Sequence, residues 1–188
     1  MDTLYSFAPI VQSDAEILIL GSMPGRASLE ANQYYAHPHN AFWRIMGELL
    51  GFDSQRTTYP EKTNALKSAR IALWDVLQSC RRKGSLDSSI EIDSQTINDF
   101  PAFFATYPQI RAVFFNGAKA EDCFRRYVLK KHMPALQQQI QLTRLPSTSP
   151  AHAALSFAEK REQWANNITG RIMRHVSGSA IMQFNEMG

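Results

Sequence analysis

The chain has 188 residues, which suits one compact domain and excludes two full ones. Its 44% hydrophobic and 20% charged content excludes a disordered or collagen-like polymer. A net charge of +3 excludes a histone-like polycation, and two cysteines are too few for a disulfide scaffold or a four-cysteine metal site.

Unpaired Cys80 and Cys123 fit a reducing compartment. The first twenty residues lack the basic start and unbroken apolar core of a signal peptide. No stretch approaches the roughly 18 apolar residues that read as a membrane span. A cytoplasmic protein with no membrane contact is expected.

In chain order, the first apolar run is Ile17-Leu18-Ile19-Leu20, ending at Gly21-Ser22. From Phe42, apolar residues at Ile45, Met46, Leu49 and Leu50 give the stripe of a core-facing helix. A second run, Ile71-Ala72-Leu73-Trp74, ends at Asp75. Ile97, Phe100, Phe103 and Phe104 predict a helix with Pro101 in its first turn. A third run, Val113-Phe114-Phe115, ends at Asn116-Gly117, and Phe124, Tyr127 and Val128 predict a helix after it. The fourth run, Ile140–Leu145, alternates like an edge strand and ends at Pro146-Ser147. Ser156 and Glu159 form a capping box that opens a helix carrying Trp164, Ile168 and Ile172. Residues 177–188 read as a loosely held tail to a domain spanning 1–176.

The first three runs have the unbroken apolar character of parallel strands covered on both faces. Alternation with helices predicts an α/β fold, a three-layer α/β/α sandwich around a four-stranded parallel sheet. Ligands bind such sheets at the strand ends. Those ends carry Gly21-Ser22-Met23-Pro24-Gly25, Asp75, Asn116-Gly117 and Pro146-Ser147-Thr148-Ser149-Pro150, and they are expected to share one cleft.

Each of these segments also has a plain structural role. The first loop is not a nucleotide fingerprint, and its glycines and prolines suit a tight turn as well as a close backbone approach. Between Gln33 and Trp43 lie four aromatics, His37, His39 and Asn40. The histidines lack further ligands at useful spacing, so no metal is expected. Asn40 stands where a helix cap belongs. Asp75 and Asn116 could cap loops or read a base edge. Ser147, Thr148 and Ser149 could hold phosphates or simply turn the chain. The run Arg81-Arg82-Lys83-Gly84 could touch a polyanion or merely be solvated. Cys80 has no partner histidine in a motif, which argues against a nucleophilic thiol.

Taken together, G-S-M-P-G at 21–25, Y-A-H-P-H-N-A-F-W at 35–43 and L-P-S-T-S-P at 145–150 resemble the motifs of the uracil-DNA glycosylase superfamily. They look most like its deoxyinosine (hypoxanthine) branch. The resemblance spans about residues 15–155 and implies a base excision repair enzyme that flips a deaminated base out of DNA. Hydrolysis of the N-glycosidic bond then uses a positioned water. Damaged DNA is the implied partner, with no cofactor and a monomeric state. The implied catalytic residues are Asn40 and Ser22. Tyr35, Phe42, Asp75 and Asn116 would bind the base. Gly21, Met23, Pro24 and Gly25 would form the water-side loop, and Ser147, Thr148, Ser149 and His152 would hold phosphates.

Two departures narrow the expectation. Met23 stands where many branches carry an Asp or Asn that activates water, leaving Asn40 to orient it. Leu145 stands where several branches carry a residue that aids the leaving group. A poor uracil enzyme follows, and with Ser149 as a small wedge, flipping should favour weakened pairs. The alternatives are a uracil or G:T/G:U mismatch enzyme, a non-catalytic DNA- or nucleotide-binding module, and a hydrolase using Ser22. Residues 1–60 are net acidic and 111–188 net basic. The acidic part is expected to carry the pocket and the basic part to face phosphates.

Overall fold

The computed structural model describes residues 2–185, with side chains described through residue 172. From the N-terminus, β1 (Leu4–Tyr5) precedes the first apolar run, which forms β2 (Ile17–Gly21). Three helices follow, α1 (Arg26–Ala31), α2 (Phe42–Leu50) and α3 (Tyr59–Ser68). The second run is β3 (Ile71–Asp75), followed at once by β4 (Leu77–Cys80). Next come β5 (Thr96–Ile97), α4 (Phe100–Thr106) and the third run, β6 (Ala112–Asn116). Helix α5 (Ala118–Cys123) passes into a π-helical stretch, Phe124–Leu129. Helix α6 (Leu136–Gln139), strand β7 (Gln141–Leu145) and helix α7 (Phe157–Asn185) complete the chain.

The main sheet has the order β3-β2-β6-β7 and is parallel throughout. Side chains alternate across it, as the two-residue period requires. Ile17, Ile19, Ile71, Leu73, Ala112 and Phe114 face one core, with Phe42 and Ile45 of α2 and Trp164 and Ile168 of α7. Leu18, Leu20, Ala72, Trp74, Val113 and Phe115 face the other, with Phe100, Phe103 and Phe104 of α4 and Phe124 behind α5. Two apolar faces, each covered by helices, make the three-layer sandwich expected from the unbroken runs. β7 is the edge strand that its alternation predicted.

Some elements depart from expectation. β1, β4 and β5 form a second, antiparallel sheet, in strands too short to show a period. Ile97 belongs to β5 rather than to the α4 helix, because Asp99 caps that helix by accepting from the Ala102 N–H. Helix α3 was not anticipated, although Thr58 and Glu61 form the same capping box as Ser156 and Glu159. The expected loose tail, 177–188, falls outside the residues whose side chains are described.

Candidate active site

The four parallel strand ends meet at one cavity of ≈ 570 Å³. Residues 21–28, Asp75, Asn116 and residues 147–152 all line it, joined by Tyr35, Asn40 and residues 85–88. Of the residues that the resemblance assigns to the site, Phe42 alone is absent from the wall, lying fully buried behind Tyr35.

The loop after β2 is set by what it touches. A side chain at Gly21 would overlap the Asp75 carboxyl and crowd the Tyr35 hydroxyl, so glycine lets both groups reach the backbone. Ser22 is buried, and its hydroxyl donates to Asp87 Oδ2 at 2.7 Å. Met23 is 6% exposed and packs into the core, which leaves no polar group at that position. The Pro24 carbonyl accepts from Arg82 Nη2 at 2.6 Å, and Gly25 caps α1.

The aromatic segment divides between core and cavity. Tyr34 is core, and its carbonyl accepts from Trp43 Nε1. Tyr35 lines the cavity and stacks on Phe42, with ring centroids 4.1 Å apart. Its backbone is left-handed, φ 54°, a conformation costing a bulky residue about 1–3 kcal/mol and found most often at functional sites. His37 Nδ1 accepts from the His39 N–H, which tightens the loop. Asn40 does not cap α2 itself, since Ala41 occupies that position. Its Oδ1 accepts from the Phe42 N–H at 3.0 Å, which fixes the plane of the amide at the cavity wall.

Asp75 closes β3 at 3% exposure. Its Oδ2 is buried without a hydrogen-bond partner among the described residues. Burial, and then the Asp87 charge, push its carboxyl up to about 8, against a smaller downward pull from Arg82. Near neutral pH it is mostly a neutral acid, which can donate as well as accept. Burial and the neighbouring Asp75 also push up the Tyr35 phenol, whose hydroxyl has no well-aligned partner among the described residues.

Asn116 is tied to the last loop at both ends of its amide. Its Nδ2 donates to Thr148 Oγ1 and its Oδ1 accepts from the Thr148 N–H, each at 2.8 Å. The amide also acts on the Tyr35 hydroxyl, where its hydrogen bond opposes the upward push of burial. The Thr148 hydroxyl is thus committed, and at 1% exposure it holds the loop rather than presenting itself to a phosphate. The Thr148 carbonyl accepts from the Ala41 N–H, joining this loop to the aromatic one. Ser147 and Ser149 are half-buried at the cavity, and His152 lines it beyond them. Gly117 has φ 94°, and a Cβ there would lie 2.9 Å from Ser147 Cβ, so glycine lets the two loops touch. Lys160 is 6% exposed and donates to the carbonyls of Ser149 and His152, while Trp164 Nε1 donates to the Pro146 carbonyl.

Sequence reasoning read 81–84 only as a polyanion contact or a solvated run and passed over 85–90. Arg82 is buried and holds the Pro24 and Gly84 carbonyls, so it cannot be the polyanion contact first considered. Arg81 is paired with Glu91. Asp87 lines the cavity, with Arg82 Nη1 at 3.9 Å from its Oδ1. Beside it, Leu86 is a large apolar side chain left 54% exposed on the cavity wall. Residues between 21 and 40 of the acidic part do line the cavity, but they bring it no carboxylate. Both cavity-lining carboxylates come from the balanced middle of the chain, while Glu16 and Glu48 from the acidic part pair with arginines elsewhere.

Among the described residues, no three His, Cys, Asp or Glu side chains cluster as metal ligands, and no helix is long and apolar enough to cross a membrane.

Comparison with known proteins is consistent across sequence and structure. Residues 8–169 match the model of the uracil DNA glycosylase superfamily. A hypoxanthine DNA glycosylase of Methanosarcina barkeri is 34% identical over 159 residues, covering 85% of this chain and 94% of that protein. One of Methanosarcina acetivorans is 38% identical over 160 residues, covering 84% and 93%. A solution NMR structure of a proposed uracil DNA glycosylase from Methanosarcina acetivorans superposes with a TM-score of 0.74 at 32% identity. That match covers 90% of this chain and 98% of the other.

Proposed function

Since the chain belongs to the uracil DNA glycosylase superfamily and is a DNA glycosylase, we propose that it removes hypoxanthine from deoxyinosine in DNA. The observation that carries this reading is the buried Asp75 carboxyl at the cavity, whose Oδ2 has no hydrogen-bond partner among the described residues and which burial pushes up to about 8. The lactam edge of hypoxanthine presents an N1–H donor beside an O6 acceptor. A neutral carboxyl matches both, whereas a carboxylate would repel O6. Uracil presents a similar edge. The two Methanosarcina relatives, both named for hypoxanthine, favour the purine.

Extrusion of the nucleotide costs a few kcal/mol of stacking and pairing, least for a weakened pair such as one containing inosine. Tyr35, backed by Phe42 on one face, offers the other face to the base, worth about 1–3 kcal/mol. The sugar then lies toward the first loop. Loss of the base gives C1′ an oxocarbenium character, and water attacks there. Asn40 is a neutral amide, so it orients this water rather than deprotonating it. The hydroxyls of Ser147 and Ser149, with His152, hold the flanking phosphates.

Rates of base loss from duplexes carrying inosine, uracil opposite G, or thymine opposite G test the substrate. Inosine should be fastest by at least tenfold; equal or faster loss of uracil would overturn the choice of purine. Leu86, larger and more exposed than Ser149, would fill the gap that an extruded nucleotide leaves, since apolar side chains commonly wedge between unstacked bases. Leu86→Ala should slow excision from fully paired duplexes about tenfold and leave single-stranded inosine nearly unaffected. An equal effect on both substrates would rule out a wedge.

A further inference from the structure

Resting on the glycosylase reading, we infer that Asp87 is the proton acceptor for the attacking water, replacing from a distant loop the carboxylate that Met23 does not supply. Asp87 opens a single 3₁₀ turn, Asp87–Ser89, on the segment after β4. Its carboxylate reaches Ser22, 65 positions earlier in the chain. That contact sets it against the same loop in which Met23 is turned into the core.

The local chemistry is that of a held base. The Ser22 hydroxyl donates to Oδ2, leaving further lone pairs on both oxygens. Arg82, buried and fixed by the Pro24 and Gly84 carbonyls, stands 3.9 Å from Oδ1. The Asp87 side chain is 41% exposed, so it is open to solvent at the cavity. The charged and titratable groups acting around it are Arg82, Lys119 at the start of α5, Asp75, Tyr35, Cys80 and Cys123. Burial pushes the Asp87 carboxyl up, while Ser22, Arg82 and Lys119 favour its ionised form.

In the step this assigns, the C1′–N9 bond breaks and its electron pair leaves with the purine. The purine takes the proton of the neutral Asp75 carboxyl. Water forms the new C1′–O bond and gives a proton to Asp87. Asp87 then loses that proton to solvent and Asp75 regains one, so the net reaction adds water across the glycosidic bond. The two carboxyls divide the work, Asp75 giving a proton to the leaving purine and Asp87 taking one from water.

The test is the pH dependence of single-turnover hypoxanthine release by the wild-type protein and Asp87→Asn. The wild-type rate should fall toward acid pH as Asp87 is protonated. Asp87→Asn should be slower by about 10²–10⁴-fold at neutral pH and lose that acid limb, with unchanged affinity for a non-cleavable inosine duplex. Ser22→Ala should keep the limb and move it to higher pH, since the hydroxyl favours the ionised carboxylate. A wild-type rate flat through acid pH would overturn the assignment, as would an Asp87→Asn profile that keeps its limb. If the wild-type protein released no hypoxanthine, the substrate reading would fall instead.

Discussion

Asn40→Ala should lower single-turnover hypoxanthine release by about 10²–10³-fold, while affinity for an inosine duplex changes by less than about threefold. The amide lies on the cavity wall, held in plane by the hydrogen bond from the Phe42 N–H. On the proposed mechanism its removal takes away the group that orients water and costs no phosphate contact. The same change removes the side-chain hydrogen bond that leads into α2, costing about 0.5–1.5 kcal/mol of stability. Asn40→Asp separates the two effects, because a carboxylate keeps the acceptor for Phe42 and loses the amide donor. Both variants should be impaired in excision, with only the alanine variant less stable. Full activity in either one would remove Asn40 from the chemistry.

Asp75→Asn should stabilise the protein at pH 8 by on the order of 5 kcal/mol, with nearly all of the gain gone by pH 4. The folded carboxyl titrates near 8 against an ordinary value of 3.8, so the native state binds more protons than the unfolded one between those limits. Native stability therefore falls as pH rises through that window, and the cost of a buried charge is complete above 8. An amide carries no charge and escapes the cost. Thermal midpoints at the two pH values report it directly, since each kcal/mol shifts a domain of this size by about 2–4 °C. An equal midpoint change at pH 4 and pH 8 would mean that Asp75 does not titrate in this window. The gain should come with slower excision, because an amide can still pair with the lactam edge but cannot release a proton to the leaving purine. A stabilising change that impairs activity is the usual mark of a site held under strain.

Local pattern carried much of this molecule. Unbroken apolar runs at 17–20, 71–74 and 113–115 predict buried parallel strands, and those strands bring Gly21, Asp75 and Asn116 to one cavity. The stripe from Phe42 to Leu50 gives α2, and Ser156 with Glu159 marks the start of α7. Other features depend on contacts between distant residues. Nothing near Asp87 in sequence indicates that its partner is Ser22, and Arg82 reads as one of three solvated cations until its contacts with Pro24 and Gly84 are seen. The Asn116–Thr148 pair, 32 residues apart, and the Lys160 clamp on Ser149 are equally nonlocal. The left-handed backbone at Tyr35 has no signal in an aromatic residue, since propensity argues against it. The Thr58–Glu61 box was visible and simply lacked an apolar stripe to support it, because α3 buries only Leu66.

The most direct test incubates excess protein with an inosine-containing duplex and follows free base by chromatography. The account predicts stoichiometric hypoxanthine, one abasic site per duplex, and no strand cleavage until alkali is added. Tight binding of the inosine duplex with no free hypoxanthine released would contradict it.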